Sequence, residues 1–138
     1  IFILTFQVIF TIFKTHPHQN VFFNYFVGNE VEKNFEMDYW GLANKQAFEY
    51  IIKNDAKNLI KIGSAGTISL ENSKAILKYK SRERIIISKN IEADYIIDNY
   101  INWYKYKKKR HEIPYNFKIY KEIKVSDNKI ISIYKKGN

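Results

Sequence analysis

A chain of 138 residues with 46% hydrophobic and 17% aromatic side chains carries enough apolar material to bury one core, which excludes a wholly disordered polypeptide. Cysteine is absent, so disulfides and thiolate-ligated metals are excluded. The formal net charge of +9 suits an anionic partner, but lysine rises here together with isoleucine, asparagine, tyrosine and phenylalanine, as in products of AT-rich genomes, so charge alone does not assign one.

The chain opens on IFILTFQVIFTIF, uncharged from Ile1 to Phe13. A full membrane span needs roughly 20 apolar residues. The segment lacks the basic start and small-residue cleavage site of a secretion signal. It reads either as the carboxy-terminal half of a truncated transmembrane helix or as a buried segment of a soluble fold. The uncharged opening without methionine favours the first. Residues 1–15 are therefore expected to be the end of a transmembrane helix. Residues 16–43 form a membrane-proximal connector, punctuated by Pro17, Gly28 and several asparagines. Residues 44–138 form a soluble α/β domain.

Within that domain the spacing predicts a helix from Asn44 to Asn54. Ala47, Phe48, Ile51 and Ile52 share one face, Lys45, Glu49 and Lys53 lie on the other, and Asn44 can serve as the cap. Leu59 to Ile62 reads as a strand ending at Gly63. Ser69 to Tyr79 reads as a weaker helix with Leu70, Ile76 and Leu77 inward. Arg84 to Ser88, with three consecutive isoleucines, suits a strand buried on both faces. Ala93 to Tyr100 fits a strand or a helix. Phe117, Ile119, Ile123 and Val125 alternate with Lys118, Tyr120, Glu122 and Lys124. A turn at Ser126-Asp127-Asn128 then returns the chain through Ile130 to Tyr134, which predicts a hairpin with one buried face. This order implies a small mixed-sheet α/β domain ending in a β-hairpin.

Four constellations carry candidate chemistry. His16 and His18 flank Pro17. No standard zinc spacing completes a ligand set with Asp38 or His111, so no metal site is assigned. Glu36 and Asp38 precede Tyr39-Trp40-Gly41. Aromatic rings beside a carboxylate can hold the apolar face and hydroxyls of a sugar, and a desolvated carboxylate can act as a base. The same residues can instead anchor the domain on a bilayer or cap the next turn. Gly63-Ser64-Ala65-Gly66 could hold a phosphate but lacks the P-loop Lys-Ser/Thr, and reads as a plain strand-to-helix turn. KYKKKR from Lys105 to Arg110, after Trp103 and Tyr104, could touch nucleic acid or anionic lipid, or form a solvated loop.

The HPHQ block at His16–Gln19, with FEMDYWGLANKQAFEYI from Phe35 to Ile51, resembles the carboxy-terminal region of bacterial integral-membrane glycosyltransferases related to dolichyl-phosphate-mannose–protein mannosyltransferases. The motif resemblance covers about Thr11 to Asn54. His18 departs from the tyrosine expected at the third position of the first block. The resemblance implies transfer of a sugar from a polyprenyl-phosphate donor to a lipid, glycan or protein acceptor. It implies a multi-pass protein of the cell membrane with this domain extracytoplasmic. It places the catalytic acid upstream of this fragment, which should be inactive alone and need no other cofactor. Asp38, Tyr39 and Trp40 would be substrate-binding residues, with His16 and Gln19 bracing the junction. The expected partners are the membrane, the missing amino-terminal transmembrane domain and the sugar acceptor. The alternative is a small basic α/β module that binds nucleic acid.

Overall fold

A computed structural model describes residues 2–19, 38, 40–66, 68–100, 112–125 and 127–137. Tyr39, Glu36, the basic run 105–110 with Trp103 and Tyr104, and His111 lie outside the described residues. In chain order the elements are α1 (Phe2–Thr15), α2 (Leu42–Asn54), β1 (Ile60–Ser64), α3 (Leu70–Ala75), α4 (Tyr79–Arg82), β2 (Ile85–Ile87), a 3-10 turn (Asn90–Glu92), β3 (Tyr95–Asp98), β4 (Phe117–Val125) and β5 (Asn128–Lys136). The strands make one mixed sheet in the order β2-β1-β3-β5-β4. β1 pairs parallel with β2 and with β3, β5 runs antiparallel to β3, and β4–β5 is the expected terminal hairpin.

α2 covers one face of the sheet. Its apolar stripe, Ala43, Ala47, Phe48 and Ile51, is fully buried and packs with Ile60, Ile62, Tyr95, Ile97, Ile131 and Ile133. Removing each large side chain of this kind from water stabilises the fold by roughly 1.5–3 kcal/mol. Successive strand residues point to opposite faces, so Ile96 looks away from Tyr95 and Ile97. It enters a smaller second core with Ala65, Ala93 and Phe117, joined by Ile113 and Tyr134.

Four local features differ from the sequence reading. α2 begins at Leu42, so Asn44 lies inside the helix, buried, instead of capping it. The second helix breaks after Ala75 and resumes as the short α4, because Lys78 leaves helical geometry with ψ at 143°. Leu70 and Leu77 are buried as expected, but the break turns Ile76 outward. The triple isoleucine forms an edge strand in which only Ile85 is buried, since β2 has a neighbour on one side alone. β4 carries register shifts between Ile119 and Lys121 and between Ile123 and Lys124. An extra residue in a bulge reverses which face the following side chains take. Phe117 therefore joins the second core, Ile119 is exposed, and Ile123 and Val125 return to the first core.

α1 has 14 residues, about 21 Å at 1.5 Å per residue. No helix among the described residues is long and apolar enough to cross a membrane. The outward apolar residues of α1 are nonetheless open to solvent: Phe2, Leu4, Phe6, Val8, Phe10 and Phe13 are each more than half exposed.

Candidate functional site

α1 ends in a turn built by the HPHQ block. The His16 amide donates to Ile12 O at 3.0 Å and the His18 amide to Thr15 O at 2.6 Å. Thr15 is buried, and its Oγ1 donates back to Thr11 O at 2.9 Å. Gln19 Nε2 donates to His16 Nδ1 at 2.9 Å, an exposed contact. His18 turns the other way and is buried. Its Nε2 donates to Gln46 Oε1 at 2.8 Å, on the second turn of α2. His18 Nδ1 is enclosed and meets no partner among the described residues. The two imidazoles thus serve different neighbours. No group of three or more His, Asp or Glu side chains among the described residues is placed to hold a metal ion.

The second block starts α2. The Gly41 amide donates to Asp38 O at 2.9 Å and closes a tight turn. Gly41 has φ +65°, a conformation costly for residues with a Cβ. A Cβ there would also lie 2.7 Å from Ile68 Cγ2. The turn folds Asp38 beneath the first turn of α2, fully buried, with both carboxylate oxygens 3.3 Å from the Ala43 amide. Burial pushes the Asp38 carboxyl up to about 7, against the opposite pull of the Ala43 and Leu42 amides. In this geometry Asp38 caps the helix, the role that asparagine three residues inside cannot play. Trp40, next along, is 73% exposed. Asn44 reaches across to α3, its Nδ2 donating to Ser73 Oγ at 3.3 Å.

Of the five residues singled out from the sequence, His16 and Gln19 pair with each other. Asp38 holds the start of α2, Trp40 faces outward, and Tyr39 is not among the described residues. What joins the two blocks is His18 to Gln46; from the sequence His18 is weighed only as a metal ligand beside His16, and Gln46 is not a candidate. Their separation of 28 positions leaves no local signal in the sequence.

The opposite end of α2 is held by an arginine that sequence reasoning also missed. Arg84 donates to the carbonyl oxygens of Ile52 at 3.1 Å, of Lys57 at 2.8 Å, and of Asp55. A cation at the carboxy end of a helix and a carboxyl at its amino end both complement its dipole. Close by, a cleft of about 440 Å³ is lined by Asp55, Lys57, Asp94, Tyr95, Lys135 and their neighbours. Its acids are engaged internally. Tyr95 donates its hydroxyl to Asp55 Oδ2 at 2.8 Å, and Asp94 receives Lys57 Nζ at 2.7 Å and the Lys61 amide at 2.9 Å. This cleft is an ion-paired support for α2 and β1.

The glycine turn after β1 is filled from within. The Ala65 amide donates to Ile97 O at 2.9 Å, and the Asn99 side chain occupies the space a Cβ on Gly66 would need. It serves as a strand-to-helix turn.

No family model matches the chain, and no curated protein or solved structure matches it either.

Proposed function

We propose that this chain is the carboxy-terminal part of a membrane glycosyltransferase that moves a sugar from a polyprenyl-phosphate donor to a lipid, glycan or protein acceptor. The observation that carries the reading is the joint between the two motif blocks. The HPHQ turn at the end of an exposed apolar helix is hydrogen-bonded through His18 to α2, the helix that DYWG starts. That joint would hold the domain at a set height above the bilayer, outside the cytoplasm and against the upstream helices. Trp40, with Tyr39 beside it, would face the acceptor side of the active site. Asp38 would act as the positioning residue that shapes their turn, and His16 and Gln19 would brace the junction. The catalytic acid and the donor groove would belong to the upstream membrane domain.

The test is sugar transfer in membranes holding the complete gene product, supplied with a labelled polyprenyl-phosphate sugar. Trp40→Ala should lower kcat/KM by tenfold or more, as expected for loss of a positioned contact worth about 1.4 kcal/mol. The 138-residue chain alone should transfer nothing; transfer by it would overturn the proposal.

A further inference from the structure

We propose that the segment from Lys74 to Arg82 is a second membrane contact, which docks on the headgroups of an anionic phospholipid bilayer. This rests on the reading above that α1 is held in a membrane. The segment is a hump pinned by one side chain. Leu77 is buried, while Ile76 and Tyr79 on either side of it are 61% and 64% exposed. Lys78 and Lys80 are exposed and Lys74 is half-buried. None of these three lysines has a carboxylate within ion-pair distance among the described residues. The Arg82 guanidinium stands 5.7 Å from the Tyr79 ring and donates to Ala75 O at 3.3 Å, so the ring is held in place. An amphipathic ring and an aliphatic side chain among unpaired cations match the chemistry of a headgroup layer. Tyrosine is favoured at that interface, and lysine is drawn to anionic lipid.

The experiment uses the whole 138-residue chain with vesicles of phosphatidylcholine, alone or mixed with phosphatidylglycerol, and measures partitioning by flotation. Each lysine at an anionic surface contributes about 1 kcal/mol, roughly five-fold in partitioning. The mixed vesicles should bind the native chain at least tenfold more tightly. That preference should fall about tenfold or more in the triple variant Lys74→Gln, Lys78→Gln, Lys80→Gln. The control triple variant Lys118→Gln, Lys121→Gln, Lys124→Gln lies on β4, at the far edge of the sheet from β2, and should keep it. Equal loss in both variants would assign the preference to net charge and overturn the proposal, as would no loss in the first. Patch-dependent binding to mixed vesicles without binding to neutral ones would keep the patch and sink the α1 anchor. Binding to neutral vesicles without any phosphatidylglycerol preference would do the reverse. Patch-dependent binding of a single-stranded oligonucleotide, with no lipid preference, would give the surface to nucleic acid instead.

Discussion

The buried carboxyl of Asp38 makes a quantitative demand on stability. Its ordinary value of 3.8 is raised to about 7 in the folded chain. A raised folded-state value means that the folded chain keeps a proton which the unfolded chain releases. The contribution of this group is fully present below about pH 4 and is lost as the pH climbs through about 7. At about 1.4 kcal/mol per unit, the charged form above pH 7 costs about 4 kcal/mol relative to the neutral one. Asp38→Asn keeps an oxygen that can accept from the Ala43 amide and removes the charge. Its stability should match the native chain near pH 3 and exceed it by up to about 4 kcal/mol near pH 8.5. Asp38→Ala removes the acceptor, leaving first-turn amides unsatisfied, and should fall below Asp38→Asn by about 1–2 kcal/mol at both values. Urea denaturation followed by circular dichroism in neutral detergent measures all three chains. The native-to-variant difference cancels the other titrating groups. Asp55, Asp94 and Glu122, all held below their ordinary values, weaken the fold only as the pH drops towards and below 4. A difference between Asp38→Asn and the native chain that stays flat from about pH 5 to 8.5 would refute the reasoning.

The other end of α2 gives a second expectation. Arg84→Ala strips three carbonyl groups of a charged donor and should cost about 2–3 kcal/mol, while Arg84→Lys should recover only part, because an ammonium lacks the planar fork. Gly41→Ala should cost at least about 1–2 kcal/mol from its positive φ alone, with a further loss from the clash against Ile68, read as a lower urea midpoint. Tyr95→Phe removes the hydroxyl bonded to Asp55 and should cost about 1 kcal/mol. Burial opposes it, but the Lys57 amide and the Tyr95 hydroxyl together hold the Asp55 carboxyl below its usual value, so its titration by NMR should move upward in this variant.

How much of this was legible in the sequence follows from the range over which each feature is encoded. The buried face of α2 is written in a 3.6-residue period within one segment, and Ala47, Phe48 and Ile51 were placed correctly. The terminal hairpin is written in alternation around one turn, and it formed. The bulges of β4 were not legible, because a shift of register depends on what the partner strand and α2 offer. Tyr120, which stays partly open to solvent, meets Tyr50 of α2 and Tyr95 of β3, with ring centroids 5.9 and 5.8 Å apart. Ile76 was assigned inward because the period continued on paper through a helix that the backbone ends at Ala75.

The same distinction separates the two ends of α2. At its start, an acid before Gly41 left two roles open, sugar contact or cap. The positive φ of Gly41 turns Asp38 under the helix and so chooses the cap for its carboxyl. At its end, the capping cation comes from Arg84, some 30 positions on, where nothing local marks it. Both ends of one helix are thus held by side chains outside it, a buried carboxyl at the start and a guanidinium at the end, and its second turn is met by His18. Among the described residues, α2 meets both the turn after the apolar amino-terminal helix and the sheet. A change in the protonation of Asp38 therefore acts on the same helix that receives His18. The pH dependence expected of Asp38 near neutrality thus falls on the start of the helix that His18 meets at Gln46.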